Sequence, residues 1–226
     1  MPDPDRRRGT VLALGDSILC GPEEGAFGVP PMPWPQWLAL LLDLPFHRLA
    51  RPGACAPDVA EAFLSRMRDD YAVACVGVGT NDVRSLDWDP ARFTAALATI
   101  LDALAPRAER VCVATVPRDL GRPRAGAKVA DLNAIVRREA ASRGAVVADL
   151  DDLTGWRLLF PDAVHPTALG QLEIARRAAA ALGLDHSPTA LATIQSGPAS
   201  TLRYAATRQI GHLWRDARRR AAERNV

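Results

Sequence analysis

The sequence predicts an α/β fold in which helices cover both faces of a parallel β-sheet. Five short apolar runs of strand length alternate along the chain with helical patterns of about 10 to 17 residues. Such an alternation requires crossover connections, which place successive strands parallel to one another. The strand-like runs are apolar almost throughout, as expected for strands that are buried on both faces.

Each predicted strand runs into a turn, and three of these turns contain glycine. The first strand ends at Gly15, the second near Gly53 and the third just before Gly79. The predicted strands cover residues 10–14, 45–50, 71–78, 110–116 and 145–149.

The predicted helices have proline near their first turn or glycine just after their last. Pro57 and Pro90 suit a first helical turn, whereas Gly144 and Gly183 suit the position after a helix end. The helices cover residues 34–44, 57–67, 90–104, 126–143 and 166–182.

Length and composition indicate a globular chain with one domain and an additional segment. The chain has 226 residues, of which 48% are hydrophobic and 24% charged, which argues against disorder and fibrous repeats. A net charge of +2 gives no global field for binding nucleic acid. No apolar run approaches the ~20 residues of a membrane span, and no secretory h-region follows the amino terminus. We therefore expect a soluble, cytoplasmic and unprocessed chain.

The cysteines do not have the spacing of a metal site. No C-x-x-C pair or cysteine–histidine cluster is present, so we expect no zinc. Two of the cysteines lie inside apolar strand-like runs and are interpreted as buried free thiols. The four residues are Cys20, Cys55, Cys75 and Cys112.

Residues whose side chains could take part in catalysis lie where the predicted strands end. The segment 15–17 (GDS) follows the first strand, Gly53 the second and the segment 79–82 (GTND) the third. The segment 162–166 (DAVHP) lies between the fifth strand and the last core helix. In a parallel sheet the loops at the carboxyl ends of the strands share one edge, where ligands bind. We therefore expect these four segments to meet.

Three of these residues are of the types needed for nucleophilic catalysis: a nucleophile, a base and a group that orients the base. A serine requires a base within hydrogen-bond reach, and the base requires a third group to orient it. Ser17, His165 and Asp162 supply these types, and one tight turn can direct the Asp162 carboxylate to the imidazole. The Ser17 N–H, the Gly53 N–H and the Asn81 side-chain amide could stabilise a developing oxyanion.

Each segment taken alone has a structural interpretation. Gly, Asp and Ser are favoured in turns, Asn81 could form a turn or cap a helix, and Pro166 could simply begin a helix. Their coincidence at one sheet edge, in this order, favours the functional interpretation.

Together the four segments resemble the signature blocks of the SGNH (GDSL-type) hydrolase superfamily. The resemblance covers about residues 9 to 183, and its one departure is Ile18 where the common pattern has leucine. It implies a three-layer α/β/α, flavodoxin-like sandwich with a five-stranded parallel sheet in the order 2-1-3-4-5. The G-x-S-x-G motif of α/β-hydrolases is absent from the sequence.

The resemblance also implies roles for these residues. Ser17 would be the nucleophile, Asp162 and His165 would complete the triad, and Gly53 and Asn81 would complete the oxyanion hole with the Ser17 N–H. The implied reaction is acyl transfer from an ester through an acyl-enzyme, with no metal or organic cofactor. Activity should rise with pH as the histidine base loses its proton.

Three long loops at the same edge are expected to determine the substrate. The loop 20–35 is long for a strand–helix connection, and Phe27, Met32 and Trp34 in it could line an apolar pocket. Trp88 follows the Asn81 segment. Arg118, with two further arginines in its loop, could bind a substrate anion or could simply be solvated.

The sequence after the last core helix has a different character. We divide the chain into a hydrolase domain (1–183), a linker (184–198) and a basic amphipathic helical extension (199–226). The extension contains seven arginines against two acidic residues, and an apolar stripe joined by Trp214. It could pack on its own domain, mediate self-association or attach to an anionic membrane surface.

Function classes other than hydrolysis remain open from the sequence alone. The leading interpretation is a carboxylic ester or thioester hydrolase acting on a small ester or acyl substrate. An acyltransferase would use the same acyl-enzyme with an alcohol or amine acceptor. A non-catalytic binding protein of the same fold, docked by its basic tail, is the third candidate.

Overall fold

The computed structural model describes residues 9–206, which form an α/β/α sandwich around one parallel sheet. The sheet has five strands in the order 2-1-3-4-5, all pairs parallel, which confirms the predicted architecture. Because β1 pairs with both β2 and β3, Gly15 at its end lies beside Ala50 and Gly77. The strands are β1 (Thr10–Gly15), β2 (Phe46–Ala50), β3 (Tyr71–Gly77), β4 (Val111–Ala114) and β5 (Val146–Ala148).

The helices form a layer on each face of the sheet. Helices α2 and α7 pack on one face, and α3, α5 and α6 on the other. Short 3-10 helices cover Leu64–Arg66 and Pro188–Leu191. The α-helices are α1 (Ser17–Cys20), α2 (Trp34–Leu42), α3 (Ala56–Phe63), α4 (Thr80–Arg84), α5 (Pro90–Leu104), α6 (Lys128–Ala141), α7 (Ala168–Ala181) and α8 (Pro198–Tyr204).

Alternate residues of the central strands point into the two helical layers. In β1, Val11 and Ala13 belong to one buried apolar cluster, whereas Leu12 and Leu14 belong to the other. A strand with apolar side chains on both faces is therefore stabilised from both sides. Cys75 and Cys112 are buried in this core as free thiols.

The fourth strand is shorter than predicted because side chains replace its ladder at the carboxyl end. Beyond Ala114, the Asn133 side-chain amide of α6 pairs with both the N–H and the carbonyl of Val116, at 3.0 and 2.8 Å. The Thr115 hydroxyl accepts the Leu150 N–H at 2.7 Å. These side-chain hydrogen bonds replace strand pairing beyond Ala114, so the backbone groups there remain hydrogen-bonded although the strand has ended.

Residues 184–206 return across the helical layer formed by α2 and α7. The Gln195 N–H donates to the Phe27 carbonyl at 2.8 Å, and the buried Tyr204 ring lies 4.5 Å from the Phe27 ring. Helix α8 begins the predicted helical extension, but residues 207–226, with Trp214, lie outside the described residues. The division of the chain into domain, linker and extension stays a prediction.

Among residues 9–206, no helix has both the length and the apolar composition needed to cross a membrane.

Candidate active site

The turn after β1 brings Ser17 against the sheet edge. A Cβ atom at Gly15 would lie only 1.9 Å from the Gly77 carbonyl oxygen, and one at Gly77 only 2.2 Å from Leu19. Two glycines therefore let α1 start directly beside the strand ends. Ser17 is the first residue of α1, so its N–H points out of the helix amino terminus, where helical N–H groups lack intrahelical partners.

Asp16 caps this helix from a fully buried position. One carboxylate oxygen accepts the Ile18 N–H at 2.9 Å, while the other makes no hydrogen bond within the described residues. Burial raises the pKa of Asp16 from 3.8 to about 7, although the Ile18 N–H acts in the opposite direction. The sequence analysis noted this aspartate only as part of the GDS segment.

We expect Asp16→Asn to remove a pH-dependent penalty on stability. The folded protein retains a proton on Asp16 that the unfolded chain loses between about pH 4 and pH 7, so this contribution falls as pH rises through that window. The wild type should lose up to about 4 kcal/mol of unfolding free energy relative to the variant across it. An asparagine oxygen can still accept the Ile18 N–H, which preserves the cap. Urea unfolding of both proteins from pH 4 to 8 measures the difference, and a pH-independent difference would contradict the assignment.

Ser17, His165 and Asp162 are connected by an unbroken chain of hydrogen bonds. Ser17 Oγ lies 3.0 Å from His165 Nε2, and His165 Nδ1 lies 2.6 Å from Asp162 Oδ2. With the ring proton on Nδ1 facing the carboxylate, Nε2 is free to accept the serine proton. The histidine side chain is 44% exposed, so this arrangement is open to solvent.

A tight turn holds the aspartate and histidine in place. Asp162 Oδ1 accepts the N–H groups of Val164 and His165 at 2.9 and 3.1 Å, and the His165 carbonyl accepts the Phe160 N–H. Burial by itself would raise the pKa of Asp162, but the hydrogen bonds from the His165 ring and from these N–H groups outweigh it. The pKa of Asp162 therefore lies below its ordinary value.

Gly53 lies on the loop after β2, and Asn81 lies in the first turn of α4, which follows β3. Gly53 has a φ of +77°, a conformation that favours glycine, and no atom lies within 4 Å of where its Cβ would be. The Asn81 side-chain amide donates one hydrogen bond to the Ala54 carbonyl at 2.9 Å. Because an amide has two donors, the second is available for a ligand.

Asp82 connects α4 to the Gly53 loop. Its buried carboxylate accepts the Ala56 N–H at the start of α3 with both oxygens, at 3.0 and 3.1 Å. Burial raises its pKa, and the Ala56 N–H opposes that rise. Asn81 and Asp82 thus fix the Gly53 loop from neighbouring positions, a role that the sequence analysis did not assign.

Gln171 of α7 is a second supporting residue that the sequence analysis missed. Its amide nitrogen donates to the Ile18 carbonyl at 2.8 Å, and its amide oxygen accepts the Trp34 N–H at 2.9 Å. One buried side chain therefore links α1, α2 and α7. Its signal in the sequence is a polar residue on the apolar face of the last core helix.

Four of the residues predicted to contact substrate lie in different surroundings. Phe27 is only 5% exposed and packs against Tyr204, and Trp34 is fully buried. Trp88 is partly buried against Phe93, with ring centroids 5.6 Å apart. Arg118 is exposed and paired with Asp151 at 2.9 Å, and its neighbours Arg122 and Arg124 both pair with Asp119. Substrate contact by these residues stays a prediction.

Within the described range, no group of three His, Cys, Asp or Glu side chains is arranged to hold a metal ion.

A flavodoxin-like sheet with hydrogen-bonded serine, histidine and aspartate at its carboxyl edge is the arrangement of a serine hydrolase. The model of the GDSL-like lipase/acylhydrolase family matches residues 13–172. The chain belongs to this family and is therefore a carboxylic ester hydrolase of the GDSL type. No curated protein sequence shows significant similarity to it.

Solved structures share the fold at low sequence identity. LAE5, an α/β hydrolase enzyme from the metagenome of Lake Arreo in Spain, superposes with a TM-score of 0.62 at 19% identity, covering 79% of this chain and 97% of its own. Axe2, an acetylxylan esterase from Geobacillus stearothermophilus, gives 0.60 at 19%, covering 78% and 95%. An extracellular lipase from Streptomyces rimosus gives 0.56 at 23%, covering 76% and 100%.

Proposed function

We propose that the chain hydrolyses carboxylic esters, or thioesters, through an acyl-enzyme formed on Ser17. The observation that carries this proposal is the hydrogen-bond chain from Ser17 Oγ through the His165 ring to Asp162, with distances of 3.0 and 2.6 Å. A serine hydroxyl is a weak nucleophile until an oriented base can take its proton.

The reaction proceeds in two half-reactions. In the first, His165 Nε2 takes the Ser17 proton as Oγ attacks the ester carbonyl carbon, and the histidine then protonates the leaving alcohol. In the second, His165 takes a proton from water, the hydroxide attacks the acyl carbon, and the proton returns to Oγ as the acid leaves. Asp162 stabilises the imidazolium that forms in each half-reaction.

The carbonyl oxygen becomes negatively charged in both half-reactions. We propose three donors for this oxyanion: the Ser17 N–H at the start of α1, the Gly53 N–H and the second Asn81 amide proton. Preorganised donors of this kind stabilise an oxyanion most strongly because they need no reorganisation during the reaction. The Asp82 and Asn81 contacts to the Gly53 loop keep these donors in fixed relative positions.

The substrate class is a small ester or acyl compound. Of the structural neighbours, one is an acetylxylan esterase and one a lipase, so the fold accommodates alcohol groups of very different size. We propose that the protein acts in the cytoplasm without nucleic acid. Self-association or peripheral membrane attachment through residues 199–226 stays a prediction.

Covalent labelling tests the proposed nucleophile directly. A fluorophosphonate probe should add one label per chain, located on Ser17 by peptide mapping, and p-nitrophenyl esters should be hydrolysed and should protect against labelling. Heat-denatured protein is the control, because labelling requires the folded arrangement with His165. Labelling of another serine, or no labelling together with no ester hydrolysis, would contradict the proposal.

A further inference from the structure

A small cavity is lined by chain neighbours of the proposed catalytic residues, although none of those residues lines it directly. It has a volume of about 20 Å³ and is lined mainly by apolar side chains. Ile18 directly follows the proposed nucleophile, Thr80 precedes the proposed oxyanion-hole asparagine, and Val164 and Pro166 flank the histidine in the sequence. Each of these catalytic elements therefore contributes a chain neighbour to the cavity wall.

The remainder of the wall comes from the buried core. Val116 follows β4, Leu153 follows β5, and Trp34 and Ile174 belong to α2 and α7. All four are almost completely buried. The Thr115 hydroxyl, also in the wall, already pairs with the Leu150 N–H at 2.7 Å. The Trp34 indole N–H is the wall's one buried side-chain donor without a hydrogen-bond partner within the described residues, and the other wall side chains are mainly apolar, so the cavity suits a small apolar group.

The topology places most of this cavity on one side of Ser17. In the strand order 2-1-3-4-5, the Gly53 loop follows β2 on one side of the serine turn and contributes nothing to the cavity wall. Apart from Ile18 and Trp34, which follow β1, the cavity residues lie at or after the ends of β3, β4 and β5 on the other side. An ester bound at Ser17 has two substituents, the acyl tail and the alcohol, and the cavity can receive only one of them.

The acyl tail is the substituent that fits an enclosed space. After the first half-reaction the alcohol must leave and water must enter along its path, so the alcohol side has to remain open to solvent. The acyl group stays covalently attached to Ser17 until hydrolysis. An enclosed pocket therefore serves the part of the substrate that remains bound.

From these observations we infer that the cavity is the acyl pocket and that the protein acts on esters of very short acids, with acetyl as the preferred acyl group. This inference rests on the proposed function and specifies its substrate class. A cavity of about 20 Å³ holds roughly one water-sized or methyl-sized group. A butyryl group has two more methylenes than acetyl and would have to displace buried wall residues.

Chain-length profiles of a cavity variant and a matched control test the inference. For the wild type, kcat/KM should fall by about tenfold or more from p-nitrophenyl acetate to butyrate, since one methylene in an apolar pocket changes it by about 10- to 200-fold. Leu153→Ala removes part of the cavity wall and so enlarges the cavity. It should raise the ratio of kcat/KM on butyrate to kcat/KM on acetate by about tenfold. Leu101→Ala removes the same group from the buried face of α5, which is not part of the wall, and should leave the ratio within about twofold. Val116→Ala is a smaller change in the same wall and replaces Leu153→Ala if that protein does not fold.

Labelling rates separate this inference from the proposed hydrolysis. Ser17 should react faster with a p-nitrophenyl methylphosphonate than with the propylphosphonate, and the wall variant should reduce this difference by about tenfold, whether or not esters are turned over. A wild type that prefers butyrate or longer esters, or a folded wall variant with an unchanged ratio, would overturn the acyl pocket. Loss of both turnover and labelling would overturn the pocket together with the mechanism, whereas selective labelling without turnover would overturn only the hydrolysis.

Discussion

Replacing Ser17 with alanine is expected to lower kcat for ester hydrolysis by at least about 10⁴-fold. Ser17 Oγ is the atom within hydrogen-bond distance of His165 Nε2, at 3.0 Å, and without it no acyl-enzyme can form. The Gly53 N–H and the Asn81 amide remain in the variant, so KM should change far less than kcat. Initial rates on p-nitrophenyl acetate with matched preparations of both proteins measure the two constants.

Ser65→Ala is the matched control for this change. Ser65 is exposed on the 3-10 helix Leu64–Arg66, which precedes β3 and therefore lies toward the opposite edge of the sheet. The control should retain wild-type kcat, and the melting temperatures of both variants should stay within a few degrees of the wild type. Turnover above about 1% of the wild type in a folded Ser17→Ala protein would remove Ser17 from the mechanism.

The fold could be predicted because local sequence and global architecture agree. Apart from the edge strand β2, which contains His47 and Arg48, the strands are short, apolar and bounded by glycine or proline, which is typical of strands buried on both faces. The short helices Ser17–Cys20 and Thr80–Arg84 were not predicted, because a segment of four or five residues carries no helical period. The early end of β4 depends on Asn133, whose side chain reaches Val116 from a helix that no local pattern connects to it.

Within the site, the sequence predicts which residues come together better than it predicts how deeply each is buried or which partner it pairs with. The prediction that Ser17, His165 and Asp162 would meet followed from the rule that parallel strands share a carboxyl edge. The burial of Asp16 could not be predicted, since an aspartate beside a serine reads as an exposed turn. The same limit applies to Arg118, because its partner Asp151 follows a different strand and only the folded chain brings them together.

Buried polar side chains support the residues that we propose as catalytic. Asp82 holds the start of α3, and Gln171 holds α1 to α2 and α7, each through hydrogen bonds to backbone groups. Such bonds fix loops whose own residues are small or exposed, as Gly53 and Ser17 are. The geometry of the proposed site therefore depends on buried residues outside the proposed triad and oxyanion hole.

Asp162→Asn is expected to reduce kcat by about 10⁴-fold while leaving the fold intact. The two carboxylate oxygens of Asp162 have separate tasks: Oδ1 accepts the backbone N–H groups of Val164 and His165, and Oδ2 accepts the imidazole Nδ1 proton. An asparagine oxygen can keep the first task and preserve the turn. Its NH₂ group would face Nδ1 as a donor, which favours the tautomer with the proton on Nε2, and that tautomer cannot accept the serine proton.

The lowered pKa of Asp162 determines the pH range in which this variant should be compared with the wild type. Because the pKa of Asp162 lies below its ordinary value, the wild-type carboxylate stays ionised throughout the neutral range. Titration of Asp162 itself should therefore contribute no change to the ratio of wild-type to variant kcat between about pH 6 and pH 8. Asp102→Asn is the matched control, since Asp102 is an exposed ion-pair partner of Arg143 near the end of α5 and should be dispensable for activity. A folded Asp162→Asn protein with a tenth or more of wild-type kcat would mean that the carboxylate positions the turn without orienting the base.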